Sequence, residues 1–295
     1  MIGASALTAI VLCADDYAIS PGVSASIREL LAADRLSATS CMTASPYWPE
    51  EGTRLREFVD RADIGIHISL TGLPPLGPMP RIAPEGKLPS FGWLTVAAYA
   101  GALDADEIAA EVGRQFDAFM RVLGRPPAHV DGHLHIHQLP FIREAVLDAY
   151  RGRLAGSGAW LRVCDEPIAA IRRRAVAPIR ASVISLMGRA LRREANLLGI
   201  PANARFAGVQ NFDPRSSYRA LFRRFIADAP PGLLVMCHPG HSDAPLAKVD
   251  LAVEKRDEEN RYFAGDDFVL DLAEAGCVLA RFKDAVEQDM SAAAR

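Results

Sequence analysis

TAIVLCADD, residues 8–16, is a short apolar run with β-branched Ile10 and Val11, stopped by two adjacent carboxylates, Asp15 and Asp16. Such a run reads as a buried strand. The residues before it carry no basic segment and meet the aspartates early, so 1–16 read as a first buried strand, with a secretory signal as the alternative. Seven more short apolar runs follow: ATSCMTA from 38, ADIGIHI from 62, AHVDGH from 128, AWLRVC from 159, ARFAGV from 204, GLLVMC from 232 and GCVLARF from 276. Helix-like segments at 22–34, 104–123, 139–150 and 214–227 lie between them. The segment from Asp104 opens on acids and repeats apolar residues at Ile108, Val112, Phe116, Phe119 and Leu123, which is helical spacing.

Strands alternating with helices predict a parallel sheet with helical crossovers. About eight such units in 295 residues predict an α/β fold, a single-domain distorted TIM-like (β/α) barrel over 1–295. The alternative is an open doubly wound parallel sheet, because a linear pattern does not encode closure. Two stretches interrupt the alternation. Residues 70–93 are rich in Pro and Gly and read as a long ordered loop, a substrate wall or lid. Residues 167–198 are Arg-rich and helical, read as an insertion of two helices whose arginines form a solvated face.

Composition narrows the function. Half of the residues are hydrophobic and the net charge is −3, so no attraction to nucleic acid or to an anionic membrane is expected, and no basic stripe tracks phosphates. No charge-free apolar run reaches the length of a membrane span, about 18 residues. The five cysteines, Cys13, Cys41, Cys164, Cys237 and Cys277, form no CxxC pair and mostly sit in apolar runs. Buried reduced thiols and a cytoplasmic location are the expectation.

The ionisable residues collect at strand ends. Asp15 and Asp16 close the first strand, His67 the third, His133 follows the fourth, Arg162 ends the fifth and His238 the seventh. In a parallel barrel those ends share the rim that carries active sites. Two carboxylates closing an apolar strand repel each other and are costly to desolvate, which a divalent cation relieves. Capping of the next helix does not require them, since Ser20 supplies that cap. A lone histidine such as His67 in an apolar strand is ordinarily a core residue; its company at the rim makes it a candidate ligand. The run from His129 through His133, His135 and His137 offers one or two ligands, the others orienting ligands, touching substrate or filling space. His238, followed by Pro239 and Gly240, sits where the backbone turns sharply and suits a general acid.

ADDYAISPGVSASI, GIHISLTG, AHVDGHLHIHQLP and GLLVMCHPG with KRDEEN after it, in this order along the chain, resemble the YdjC-like (ChbG-type) carbohydrate deacetylases, including relatives associated with hopanoid biosynthesis. The resemblance implies removal of an N-acetyl group from an amino sugar or chito-oligosaccharide-like substrate. It implies Asp16, His67 and His133 as metal ligands, Asp15 as general base, His238 as the histidine of the CHPG motif and Arg162 as a substrate-facing arginine. From the residues themselves, His135 and His137 are candidate substrate contacts, with the choice of metal ligand among His133, His135 and His137 left open. The cofactor is one divalent ion, magnesium by resemblance, while an Asp-His-His set is also compatible with zinc. The partner is a small carbohydrate, and a homodimer is a reasonable expectation. Other readings of the same rim are a phosphoesterase or cyclic amidohydrolase barrel, a non-catalytic sugar-binding relative, and a scaffold whose histidines are core residues.

Overall fold

The computed structural model describes residues 7–250 and 252–293, and side chains to 288 apart from that of 251; residues 1–6 of the first expected strand lie outside it. Each of the eight apolar runs contains a strand: β1 Thr8–Tyr17, β2 Ala38–Cys41, β3 Asp63–Ile68, β4 His129–Gly132, β5 Trp160–Leu161, β6 Arg205–Ala207, β7 Leu233–Cys237 and β8 Cys277–Leu279. Every pairing is parallel. The sheet runs β5-β4-β3-β2-β1-β7-β6, with β8 joined to the first residues of β1.

Closure is visible in one contact. Four strand steps separate β5 from β1, about 19 Å across a flat sheet. Yet the Arg162 guanidinium, next after β5, reaches the Asp15 carboxylate of β1 at 2.6 Å through both terminal nitrogens. The sheet is therefore rolled, and β5 meets the segment leading into β6 through an isolated bridge, Leu161 to Ala202. There the Asn203 side chain replaces the missing ladder, accepting from Val163 N–H at 2.8 Å and donating to the Val163 and Arg205 carbonyls at 2.9 Å. The fold is the distorted barrel, not the doubly wound sheet.

Strand alternation sorts the core. Ile10, Leu12 and Ala14 of β1 pack outward with the helices, while Ala9, Val11 and Cys13 pack inside the barrel with Trp160, Phe206 and Met236. The helix Ala105–Leu123 ends where the sequence says it should: the Asp104 side chain accepts from Glu107 N–H at 2.9 Å, and Gly124 at φ 71° closes it. The segment after His137 differs from expectation. Its helix starts at Ile142 rather than 139, because Pro140 holds Leu139 extended and Phe141 takes φ 67°. The Pro/Gly stretch is ordered loop to Ser90, which caps a helix Phe91–Tyr99. That loop is anchored on the long helix, Glu107 accepting from the Arg81 and Ile82 N–H groups and Glu111 from that of Leu76. Residues 167–198 hold the helices Ile168–Arg174 and Pro178–Leu197. All five cysteines are unpaired and buried, and among the described residues no helix is long and apolar enough to cross a membrane.

Candidate active site

The site begins with an irregularity in β1. Alternation points Cys13 and Asp15 inward and would point Asp16 at the helix layer. Instead the β1–β2 register shifts between Ala14 and Tyr17, and Asp16 adopts φ 66°. Such a bulge re-aims a side chain, and aspartate tolerates the left-handed region better than most residues. Both carboxylates consequently face the rim, each 2% exposed.

Around Asp16 the chain gathers two imidazoles. Asp16 Oδ1 lies 2.8 Å from His133 Nδ1 and 3.3 Å from His67 Nε2. One ligand atom from each of the three residues falls within 4.8 Å of the others. Asp16 Oδ2 accepts from Arg256 Nη2 at 2.6 Å, and Arg256 Nε donates to Asp250 at 2.6 Å. Burial alone would raise the Asp16 pKa, but the charges of His133 and Arg256 and the imidazole hydrogen bonds hold it well below the carboxylate range.

Asp131 works behind this group. Its Oδ1 accepts from His67 Nδ1 at 2.6 Å, its Oδ2 accepts from Ser40 Oγ at 2.6 Å and sits 2.7 Å from Arg162 Nη2. The His67 bond fixes the ring so that Nε2 faces Asp16, as in carboxylate-oriented metal histidines. Burial opposes a charged His67, but Asp131 outweighs it, with Asp16 and Asp15 assisting, and the pKa stands at about 10. Asp131 itself is driven far down by Arg162 and His67 against its burial. Three carboxylates, Asp15, Asp16 and Asp131, thus face two guanidiniums, Arg162 and Arg256. With His67 protonated the three negative charges are matched, and a cation binding there has to displace that proton.

The three histidines after β4 part company. Leu134 at φ 54° and His135 at φ 61° are consecutive left-handed residues, a conformation costly without glycine. They send His133 to Asp16, His135 toward Cys164 Sγ at 3.5 Å and the ring of Phe206, and His137 to the Arg162 carbonyl at 3.0 Å. Of these, only His133 joins the Asp16–His67 group among the described residues. His135 and His137 are buried, and burial lowers both, His137 to about 4. Arg162 is fully buried under Asp15 and Asp131.

His238 leaves β7 half-buried, its ring edge-on to Phe212 at 5.4 Å. Burial lowers its pKa to about 4 against the pull of Asp16 and Asp15. Its backbone N–H donates to Glu259 Oε2 at 2.6 Å, and Gln210 donates to Glu259 Oε1 at 2.6 Å. Burial raises Glu259 to about 7. The strand-end pattern does not single out Asp131, Arg256 or Glu259. Asp131 was findable, since it shares a strand face with His129 and lies two residues before His133; Arg256 and Glu259 stand three apart, on one face of the helix Val253–Ala264.

Fold and site together define a parallel α/β barrel with a buried histidine–carboxylate centre at the C-terminal rim of its strands. Residues 9–274 match the family described as YdjC-like protein, and the chain belongs to it. A chitooligosaccharide deacetylase from Serratia marcescens is 36% identical over 134 residues, 45% of this chain and 52% of that protein, so the match spans about half of that relative's length. A chitooligosaccharide deacetylase from Yersinia pestis bv. Antiqua (strain Angola) is 29% identical over 238 residues, 80% of this chain and 83% of its own. Among solved structures, a putative cellobiose-phosphate cleavage protein from Enterococcus faecalis V583 shares the fold, with a TM-score of 0.72 at 18% identity over 95% of this chain and 99% of that one.

Proposed function

We propose that this protein is a metal-dependent carbohydrate deacetylase that hydrolyses the N-acetyl group of an amino sugar or a chito-oligosaccharide-like oligomer. The observation that carries the reading is the convergence of Asp16, His67 and His133 beside a second carboxylate, Asp15, that Arg162 holds with two hydrogen bonds. Membership of the family and the activity named for its relatives support the substrate class.

The donor set fits one divalent cation: two imidazoles and a carboxylate, with a His67 already oriented by Asp131. Two nitrogen donors suit zinc, and the family resemblance favours magnesium, which ordinarily asks for more oxygen ligands. When bound, such an ion polarises the acetyl carbonyl and lowers the pKa of water. Asp15 takes the proton from the attacking water, the clamp of Arg162 keeping its carboxylate aimed. The C–O bond forms, the C–N bond breaks, and that proton must reach the departing nitrogen. His238 relays it; being neutral at pH 7, it accepts the proton from the Asp15 side before giving it to the amine. Arg162, His135 and His137 act as supports from below, not as substrate contacts.

A phosphoesterase would need free cationic side chains at this rim. Both Arg162 and Arg256 are consumed by carboxylates, which favours the neutral amide. Acetate release over a panel of N-acetylated sugars, with and without chelator, tests the proposal. Chelator-sensitive acetate release is expected; phosphate release from esters without any acetate release would contradict it.

A further inference from the structure

The inserted helix Pro178–Leu197 is apolar on two sides. One side is spent on the fold: Ile184, Gly188, Leu191 and Ala195 are buried. On the opposite side Ile179 is 82% exposed, Val183 55%, Leu186 64% and Leu197 78%. At 100° per residue these positions, with Ala190, fall within about 40° of one line along the helix. A surface helix ordinarily turns polar residues to water there. A second helix in a crossover leaving the same rim, Phe91–Tyr99, exposes Trp93, Val96 and Tyr99.

Charge identifies the occupant. Residues 167–198 carry seven arginines and one glutamate in a chain of net charge −3. Arg174, Arg180 and Arg192 are turned into the fold onto Glu166 and the carbonyls of Gln210 and Asn203. Arg173, Arg189 and Arg193 have only contacts of 3.9–4.0 Å to acids, and Arg172 has no ion-pair partner among the described residues. Arg189 and Arg193 flank the exposed stripe. We propose that this helix lies on an anionic membrane surface, its stripe entering the boundary of headgroups and acyl chains and its arginines meeting lipid phosphates. An amphipathic helix with arginines beside an apolar stripe binds membranes in that way. A second copy of the chain is the poorer fit. Two-fold pairing of the stripe would bring the Arg189–Arg193 rows together, and the nearby acids are already engaged, Glu194 by Arg143 and Asp165 by Ser185. The expectation drawn from net charge alone, no attraction to an anionic membrane, is replaced by one drawn from where the charge sits.

The docking helix borders the candidate site without entering it. Arg180, at its start, donates to the Gln210 carbonyl and stacks on Phe212, the ring that packs against His238. Docking would therefore hold the barrel mouth close to the lipid surface.

The test is co-sedimentation of the full chain with vesicles of phosphatidylcholine, alone or mixed with phosphatidylglycerol, with circular dichroism on every variant. Binding to the mixed vesicles only, weakened by high salt, is expected. V183E/L186E should abolish it. R189Q/R193Q, which alters only exposed side chains, should weaken it about fivefold per arginine. No pelleting with the mixed vesicles, or pelleting that R189Q/R193Q leaves unchanged, overturns the proposal. So does a dimer in light scattering that V183E/L186E converts to monomer while vesicle binding stays absent. The assay reads binding, so its failure leaves the deacetylase reading untouched.

Discussion

Asp131→Asn is the most informative single change, because one carboxylate serves both halves of the site. It is fully buried and accepts from His67 and Ser40 while pairing with Arg162. The amide keeps the shape, removes the charge and sets an N–H against one of three donors. Breaking a buried charge pair costs about 3–5 kcal/mol. The lower end applies, since Arg162 retains both bonds to Asp15. Loss of the group that orients a ligand histidine costs about 10–100-fold in metal affinity. The pH dependence gives the sharper signature. In the metal-free protein His67 has its pKa raised to about 10, chiefly by Asp131 working against burial. A proton on His67 competes with a cation, so wild-type affinity should climb about tenfold per pH unit toward that value. Stability of the metal-free protein has the opposite sign. His67 contributes fully below its unfolded pKa of about 6.5, and the contribution is lost as pH rises through about 10. In the Asn variant both dependences should end nearer the ordinary histidine value. Competition titration against a chromophoric chelator and urea denaturation, each over a pH series, measure them. Wild-type affinity with an unchanged pH slope would refute the assignment of Asp131 as the group that sets His67.

Asp15→Asn should retain metal and lose about 10²–10⁴-fold in kcat, read by acetate release and metal analysis on the same sample. Gly208→Ala places a methyl 2.1 Å from the Met236 carbonyl oxygen at a φ of 108°, so urea denaturation should show a loss of about 3 kcal/mol or failure to fold. Glu259, with its pKa raised by burial to about 7, is bound more tightly by protons in the folded state. Wild-type stability should therefore fall as pH rises from about 4.5 to 7, and Glu259→Gln should flatten that fall; equal slopes in the two proteins would show that Glu259 does not titrate there.

Much of the architecture is legible in the chain because the local signals agree. Apolar runs mark all eight strands, and the helix Ala105–Leu123 carries its own cap at Asp104 and stop at Gly124. Strand ends also point to Asp15, Asp16 and His67, since parallel strands deliver their last residues to one rim. What sequence does not encode is depth and direction at that rim. Arg162 reads as a residue open to substrate, yet barrel closure puts it under two carboxylates. The separate fates of His133, His135 and His137 depend on positive φ at Leu134 and His135, which no local residue preference announces. Arg256 and Glu259 come from a helix more than 200 residues from Asp16 in sequence, so their roles emerge only with tertiary contact.

Among the described residues, three groups of side chains could hold a cation: Asp16–His67–His133, Asp15–His67–Asp131 and Cys13–His129–Asp131. Element-specific anomalous diffraction from crystals grown with zinc or manganese distinguishes them directly. The proposed site predicts one ion per chain bound by Asp16, His67 and His133, with Asp15 beside it and not ligating. An ion seated on Cys13 and His129, or none at the rim, would contradict it.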